Sequence, residues 1–239
     1  MKEIHLYDQN LIDRVIEIFH SDFPVVILEF KHVYGLMAAN NSKGVEAINK
    51  IKRRLPNKYY SSFLGINDSF REIIHPDFVS IFDQIVNAAE GAFLRFPVHN
   101  MKRQNLTCHN NMHQTLIESK MLKTAIELIE TEYITTTNVS DFFNSNFQSP
   151  LISSLNISGS LEGTITDKID ALNFGVQEKI PLFIHSDYIT QTAGSYPIFS
   201  YNKDGFLRME RRGVDDEVIQ SNLQKIISNI HNVDIYNNS

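Results

Sequence analysis

The chain has 239 residues, of which 42% are hydrophobic and 21% charged, and its formal net charge is −6. These values are typical of an ordinary soluble globular protein, and they exclude recruitment of nucleic acid by a positive field over the whole molecule. The single cysteine, Cys108, excludes an internal disulfide and favours a reducing compartment. No apolar run approaches the roughly 20 residues that span a bilayer. Residues 1–10 lack the apolar core of a signal peptide, so we expect a cytoplasmic protein with no membrane partner.

Apolar periodicity predicts helices and strands that alternate along the chain. The first half is predicted to contain a helix at 8–19, a strand at 25–28, a helix that Ser42 caps and that ends near residue 54, a strand at 62–66, and a helix at 76–89. An apolar stretch at 93–98, a polar loop at 100–114, a helix at 117–129 and an irregular segment at 135–149 follow. The last third is predicted to contain a strand at 150–152, a short helix from 166, strands at 180–184, 196–200 and 205–209, and a helix that Asp215 or Asp216 caps.

This alternation favours one α/β domain over residues 1–239, in which helices cover a sheet. The N-terminal helix falls within residues 1–22 and the C-terminal helix within residues 214–231. We expect the tail after residue 231 to fray, because chain ends are poorly ordered unless they are docked.

A cluster of basic residues ends the predicted second helix. Lys52, Arg53 and Arg54 are consecutive, and Lys58 follows closely. Pro56 disfavours the helical conformation at the preceding residue, so the helix ends near Arg54, and a break there lets Lys52 and Arg54 point at one ligand. Alternatively, the cations only complement the negative end of the helix dipole, each contributing about 0.3–1 kcal/mol. Spacing alone leaves both interpretations open.

The segment at 153–159, Ser-Ser-Leu-Asn-Ile-Ser-Gly, follows an apolar strand. Its hydroxyl and amide groups are short and adaptable, so such a loop can hold ribose, phosphate or an amino acid. The competing interpretation is a turn in which Ser and Asn side chains bond their own backbone.

Other chemical motifs are absent or weak. The phosphate-binding glycine loops and the Gly-x-Ser-x-Gly elbow do not occur. Cys108, His109 and His113 resemble part of a zinc site, but a polar loop separates the histidines and no second cysteine is present, so we expect no metal there. His-Ser-Asp at 185–187 has the residue types of a catalytic triad, whose members rarely adjoin in sequence.

Three short motifs occur in order: Val-Tyr-Gly-Leu at 33–36, Lys-Arg-Arg at 52–54 with a following lysine, and Ser-Leu-Asn-Ile-Ser-Gly at 154–159. Arg-Arg-Gly-Val at 211–214 precedes the final helix. Together they resemble the YrdC family, the threonylcarbamoyl-AMP synthases of tRNA modification. That family has Thr-Val-Tyr-Gly-Leu, then Lys-x-Arg with a later Lys, then Ser-x-Asn-x-Ser-Gly, and finally Arg-x-Gly-Ala.

The resemblance implies a single YrdC-like α/β domain, with a twisted sheet of parallel and antiparallel strands, a covering of helices and a concave central cleft. It implies a nucleotidyltransferase that converts ATP, bicarbonate and L-threonine or a similar amino acid to a carbamoyl adenylate and pyrophosphate. ATP and Mg²⁺ are the implied cofactors, with the metal carried by ATP. Candidate partners are tRNA, double-stranded RNA and a downstream tRNA-modifying transferase.

The resemblance also assigns roles to residues, and no side chain acts as a nucleophile in them. Lys52 and Arg54 are the catalytic cations. The nucleotide-binding residues are Lys58, Ser154, Asn156, Ser158 and Arg211. The substrate pocket includes His32, Tyr34 and Ser195.

The chain departs from the family pattern at three places. Glu-Phe-Lys-His at 29–32 stands where the family has Pro-Thr-Asp-Thr, and Glu-Gly-Ala-Phe at 90–93 replaces Pro-Gly-Pro-Leu-Thr. Val-Arg-x-Pro is not recognisable near 115–118. Three hypotheses follow. The first is an active synthase for threonine or another amino acid. The second is a paralogue that binds nucleotide or double-stranded RNA without catalysis, in which Lys31 and His32 enlarge a basic mouth, and the third is an unrelated α/β domain. A large distance between Lys52 and Ser154 would favour the third.

Overall fold

The structure, a computed structural model, describes residues 1–54, 60–63, 74–99, 108–109, 112–137, 149–157, 163–186, 194–202 and 206–237. These ranges contain eleven strands and six helices, numbered here in chain order. The strands are β1 (Lys2–His5), β2 (Val25–Glu29), β3 (Tyr34–Ala38), β4 (Ser61–Phe63), β5 (Ala92–Pro97), β6 (Cys108–His109), β7 (Met112–Ile117), β8 (Leu151–Ser154), β9 (Leu182–His185), β10 (Ile198–Tyr201) and β11 (Leu207–Arg211). The helices are α1 (Leu11–Phe19), α2 (Ser42–Lys52), α3 (Pro76–Ala88), α4 (Lys120–Thr136), α5 (Lys168–Gln177) and α6 (Asp216–Asn237).

All of these strands belong to one mixed sheet. Its order is β1-β9-β2-β3-β8-β4-β7-β5-β10-β11, and β6 pairs with β7 beside that path. The pairs β1/β9, β2/β9, β4/β7 and β5/β10 are parallel, and the remaining pairs are antiparallel. The predicted fold class, a mixed sheet covered by helices, is confirmed.

The half of the sheet around β2 is covered on both faces. Val26 and Leu28 pack in the cluster that contains apolar residues of α1 and α4. Val25 and Ile27 point the other way, into the cluster that contains residues of α2 and α5. A strand that is buried on both faces is apolar at every position, which explains the continuous apolar run at this point of the sequence.

The half of the sheet around β5 is covered by helices on one face. Leu94 and Phe96 of β5 and Phe199 of β10 pack with residues of α3 and α6. The alternate residues of these strands point to the opposite face, because successive side chains of a strand alternate. That opposite face carries the cavity described below.

Four expectations from the sequence need correction. Ile117 ends strand β7 and does not begin a helix, because α4 begins at Lys120. Residues 112–114 were predicted as loop but belong to strand β7. In this strand the buried His113 and Thr115 alternate with cavity-facing side chains, so the sequence shows no continuous apolar run. Strands β1 and β3 were not predicted. Helix α6 runs to Asn237, past residue 231.

The N-cap of α2 also differs from the prediction. Asn41 occupies it, and its Oδ1 accepts a hydrogen bond from the Gly44 N–H at 2.9 Å. Asn41 Nδ2 donates to the Tyr133 hydroxyl at 2.8 Å, which ties the start of α2 to α4. Ser42 is instead the first residue of the helix.

Among the helices of the described residues, none is both long and apolar enough to cross a bilayer.

Helix α2 ends in a left-handed residue. Arg53 has φ 50° and ψ 41°, its N–H donates to the carbonyl of Lys50, and the Arg54 N–H donates to the carbonyl of Asn49 at 3.0 Å. This pair of bonds is the Schellman arrangement, which usually places glycine at the left-handed position. The chain therefore turns sharply after Lys52, which separates the directions of the neighbouring basic side chains.

We expect Arg53→Gly to raise the free energy of unfolding by about 1 kcal/mol, because a side chain in the left-handed region costs roughly that amount. Urea denaturation measures the change. Arg53→Ala is the matched control: it keeps the unfavourable conformation and removes an exposed pair with Glu178, 3.7 Å away, that contributes little. Equal stability of the two variants would contradict the prediction.

Candidate functional site

A cavity of about 780 Å³ lies on the face of the sheet that is opposite α3 and α6. Its apolar wall is formed by Phe30, Val33, Tyr60, Phe93, Met112, Leu116, Ile152, Tyr196 and Ile198. Its polar wall is formed by Arg54, Ser61, Arg95, Gln114, Ser153, Ser154, Thr164, Ser195, Ser200, Asn202, Glu210 and Arg211. Volume and lining are typical of a small-molecule site, with polar groups placed among apolar ones.

Lys52 joins the end of α2 to the loop that follows β8. Its side chain is 1% exposed, and Nζ donates to the carbonyl of Ser154 at 2.5 Å, the carbonyl of Asn156 at 2.9 Å and Asn156 Oδ1 at 2.7 Å. Ser154 Oγ also donates to Asn156 Oδ1 at 2.8 Å. The two segments that the sequence predicted to meet are therefore in direct contact, about a hundred residues apart in sequence. Lys52 and Asn156 hold the loop and lie outside the cavity wall, to which Ser154 belongs.

Arg54 follows the turn and lines the cavity. Its guanidinium lies over the ring of Tyr60, with Cζ 5.3 Å from the ring centre, an arrangement that favours a cation. Nε and Nη1 are buried, and within the described ranges neither has a hydrogen-bond partner. Buried donors of this kind normally find an acceptor, so the hydrogen-bonding capacity of Arg54 is incompletely used by the described residues.

Arg211 and Ser195 line the opposite part of the cavity. The Arg211 Nη2 donates to the Tyr196 carbonyl at 2.7 Å, and burial, with a smaller contribution from the charge of Arg95, lowers the pKa of Arg211. Ser195 Oγ lies 3.4 Å from Thr164 Oγ1. Gly213 permits this arrangement, because a Cβ there would lie 2.3–2.5 Å from backbone atoms of 195–197.

Tyr34 and His32 lie behind the cavity wall. The Tyr34 hydroxyl donates to Glu29 Oε1 at 3.1 Å, and burial together with the Glu29 charge raises the pKa of Tyr34. His32 is 4% exposed, with Nε2 3.9 Å from Asp215 Oδ2 and its ring against Tyr196. Burial of His32 contradicts the expectation that it enlarges a basic mouth. Its role and that of Tyr34 in substrate binding stay predictions, as do those of Lys58 and Ser158, which lie outside the described residues.

The structure adds site residues that the sequence did not predict. Arg95 Nε donates to Gln114 Oε1 at 2.6 Å, and Gln114 Nε2 donates to Ser61 Oγ. Glu210 Oε1 accepts a hydrogen bond from Ser200 Oγ at 2.8 Å, and its Oε2 lies 3.9 Å from Arg95 Nη1. These polar side chains form a row across neighbouring strands of the cavity floor. The sequence signal for Arg95 was a single charged residue in the apolar stretch of β5, and β7 gave no alternation of polar and apolar residues because His113 and Thr115 are buried.

A buried carboxyl group supports the wall from behind. Glu118 is 4% exposed and accepts hydrogen bonds from the Tyr196 hydroxyl and, at 3.2 Å, from the Ser119 N–H. Burial raises the pKa of Glu118 to about 7.

In the described residues no group of three or more His, Cys, Asp or Glu side chains could hold a metal ion. The buried His113 has its Nε2 at 2.8 Å from Ser62 Oγ.

This geometry defines an α/β domain with a cavity whose wall carries arginine and hydroxyl side chains. No protein-family model matches the chain, and no curated protein matches its sequence. Its fold is similar to that of E. coli YciO, with a TM-score of 0.64 and 16% identity over 89% of this chain and 94% of YciO. It is also similar to a hypothetical protein of Streptococcus mutans, with a TM-score of 0.63 and 19% identity over 94% of both chains.

A third similar structure is P. abyssi Sua5 complexed with L-threonine, with a TM-score of 0.60 and 14% identity over 83% of this chain and 53% of Sua5. Because the identities are low, the likeness shows the fold alone. The YrdC-like fold that the motifs predicted is therefore confirmed. The chain spans about half of that Sua5 chain.

We expect Lys52→Met to lower the free energy of unfolding by roughly 2–4 kcal/mol, because two backbone carbonyls lose their buried donor. Chemical denaturation measures the loss, and hydrogen exchange should show reduced protection in residues 154–157. Lys50→Met, on the same helix but exposed, is the matched control and should change little. A Lys52 variant as stable as the Lys50 variant would contradict this assignment.

Glu118 predicts a pH dependence of stability. Its pKa is raised from 4.5 to about 7 in the folded protein, so the folded state binds more protons between these values and stability falls as pH rises through that window. We expect Glu118→Gln to remove a cost of about 3 kcal/mol at pH 8 and little at pH 4.5. Urea denaturation at several pH values checks this, with the exposed Glu132→Gln as control. A constant difference between the two variants across pH would refute the prediction.

Proposed function

We propose that the chain binds ATP in this cavity and transfers its adenylyl group to an N-carboxylated amino acid, as the threonylcarbamoyl-AMP synthases do. The observation that carries the proposal is that Arg54, two of whose donors have no partner among the described residues, and Ser154 both line this cavity. The YrdC-like fold supports the same activity. The Sua5 neighbour, which was solved with L-threonine, makes threonine the first amino acid to test.

The proposed reaction needs no protein nucleophile. The amine of the amino acid and bicarbonate form a carbamate with loss of water. A carbamate oxygen then attacks the α-phosphorus of ATP, a new P–O bond forms, and the bond to the leaving pyrophosphate breaks. Mg²⁺ enters with ATP and neutralises phosphate charge, and it is held chiefly by the phosphate oxygens.

The residues of the cavity have distinct roles in this proposal. Arg54 and Arg211 stabilise charge on the phosphates, and the Ser154 hydroxyl oxygen accepts a hydrogen bond from a hydroxyl group of the nucleotide. Lys52 fixes the loop that carries Ser154 and Asn156, so it acts as a positioning residue. The N-carboxylated amino acid carries two anionic groups that repel the polyphosphate of ATP, and fixed guanidinium groups lower the cost of bringing the two ligands together.

A second candidate function is nucleotide binding without turnover. Phe30 lines the cavity within segment 29–32, where the resemblance expects hydroxyl groups and a carboxylate, and Val33 lines the cavity beside that segment. Apolar side chains at this point can bind a base or exclude water, but they cannot hydrogen-bond a threonine hydroxyl. Double-stranded RNA remains a proposed ligand of such a paralogue.

The test is a calorimetric titration with ATP and Mg²⁺. We expect Arg54→Met to weaken binding about tenfold or more, because a charge-assisted hydrogen bond is lost from a partly buried site. Arg53→Met is the matched control: its side chain is 68% exposed, so binding should stay unchanged. Failure of the unsubstituted protein to bind ATP would refute both candidate functions.

Turnover separates the two candidates. Pyrophosphate release from ATP, with bicarbonate and a panel of amino acids that includes L-threonine, is expected for the synthase. ATP binding without pyrophosphate release for any amino acid would leave only the second candidate.

A further inference from the structure

The cavity has a second cationic end, away from Arg54 and Ser154. Arg95 is on β5 and Arg211 ends β11, whereas Ser154 is on β8. Strands β8, β4, β7 and β5 are consecutive neighbours in the sheet. Three strand spacings of about 4.8 Å place β5 roughly 14 Å from β8. The two cationic ends are therefore separated by about the width of a small ligand.

The Arg95 guanidinium is held in position before any ligand binds. Nε donates to Gln114 Oε1 at 2.6 Å, and Gln114 is fixed in turn by its hydrogen bond to Ser61. Arg95 and Gln114 are direct register partners on β5 and β7, so rigid strands set this geometry. Among the described residues, these contacts use Arg95 Nε and one long contact of Nη1. A guanidinium has five N–H groups, so within that part of the chain donors remain for a ligand.

Charge at this end is incompletely compensated. Two guanidinium groups, Arg95 and Arg211, face one carboxylate, Glu210, among the described lining residues. That carboxylate is shared with Ser200 and lies 3.9 Å from Arg95 Nη1, a distance too long for a hydrogen bond. Like charges in a partly buried cavity destabilise one another unless an anion lies between them. The repulsion also contributes to the lowered pKa of Arg211.

We propose that Arg95 and Arg211 form an oxyanion clamp, so that the ligands filling this cavity are anionic at both of its ends. The inference rests on the proposed function for the placement of the nucleotide at Arg54 and Ser154. A planar guanidinium recognises carboxylate and phosphate oxygens alike. The group in the clamp is therefore either the terminal phosphate of the nucleotide or a carboxylate of the second substrate, and the two can be distinguished.

The experiment compares four proteins by calorimetry: the unsubstituted chain, Arg95→Met, Glu210→Gln and Arg212→Met. Arg212 is a matched control, since it adjoins Arg211 but is 75% exposed and lies outside the cavity wall. The probes are pyrophosphate, ATP, AMP, aspartate and asparagine. Thermal melts establish that each variant is folded.

We expect Arg95→Met to weaken pyrophosphate or aspartate binding about tenfold or more, and Arg212→Met to leave it unchanged. Glu210→Gln should strengthen binding, because it removes a repulsive carboxylate and keeps an acceptor for Ser200. If Arg95→Met weakens the binding of ATP but not of AMP, the group in the clamp is the terminal phosphate. If Arg95→Met removes a preference for binding aspartate over asparagine, the group is a carboxylate.

Two outcomes separate the clamp from the proposed function. Binding of every probe by Arg95→Met as tightly as by Arg212→Met would overturn the clamp, and ATP binding would then still support the proposed function. Binding of pyrophosphate or aspartate, lost in Arg95→Met, without any ATP binding would support the clamp and refute the proposed function. No binding of any probe by the unsubstituted protein would overturn both.

Discussion

The structure of the candidate site depends on one buried ammonium group. Burying a charge is costly unless several hydrogen bonds replace its hydration. Lys52 meets that requirement through two backbone carbonyls and the Asn156 side chain, all supplied by one loop. The loop can reach these positions only if β8 lies beside β3 and α2 ends where it does. The need of the buried Lys52 ammonium group for hydrogen-bond acceptors therefore couples the end of α2, strand β8 and the loop that follows it.

The second constraint is the unequal covering of the sheet. Around β2, helices cover both faces, and the strands carry apolar side chains in both directions. Around β5, α3 and α6 cover one face, so the opposite face can carry polar side chains without burying them unpaired. Arg95, Gln114 and Ser200 occupy this face on three neighbouring strands. In the part of the chain that the structure describes, the cavity therefore lies on the face of the sheet that α3 and α6 leave uncovered.

Sequence motifs predicted one end of the cavity and missed the other. The contact between Lys52 and Ser154 was expected from the resemblance of the motifs to one family, since spacing alone left both segments open to purely local interpretations. Arg95 was not, since a single polar residue in an apolar stretch has no function until strand register places it beside Gln114. Ile117 was assigned to a helix because its spacing to Met121 fits one, although strand pairing with Ala92 decides its conformation. Tyr34 was assigned to the substrate pocket by its motif; its hydroxyl donates to Glu29, and its role in substrate binding stays a prediction.

Strand β5 presents Arg95 to the cavity and its neighbours Leu94 and Phe96 to the core. A shift of one residue in its pairing with β7 would exchange the two faces, burying a guanidinium and exposing two apolar side chains. In these strands the residues that face the cavity therefore alternate with the residues that pack in the hydrophobic core. Substitutions at every second residue can diversify what the domain recognises while its folding determinants stay untouched.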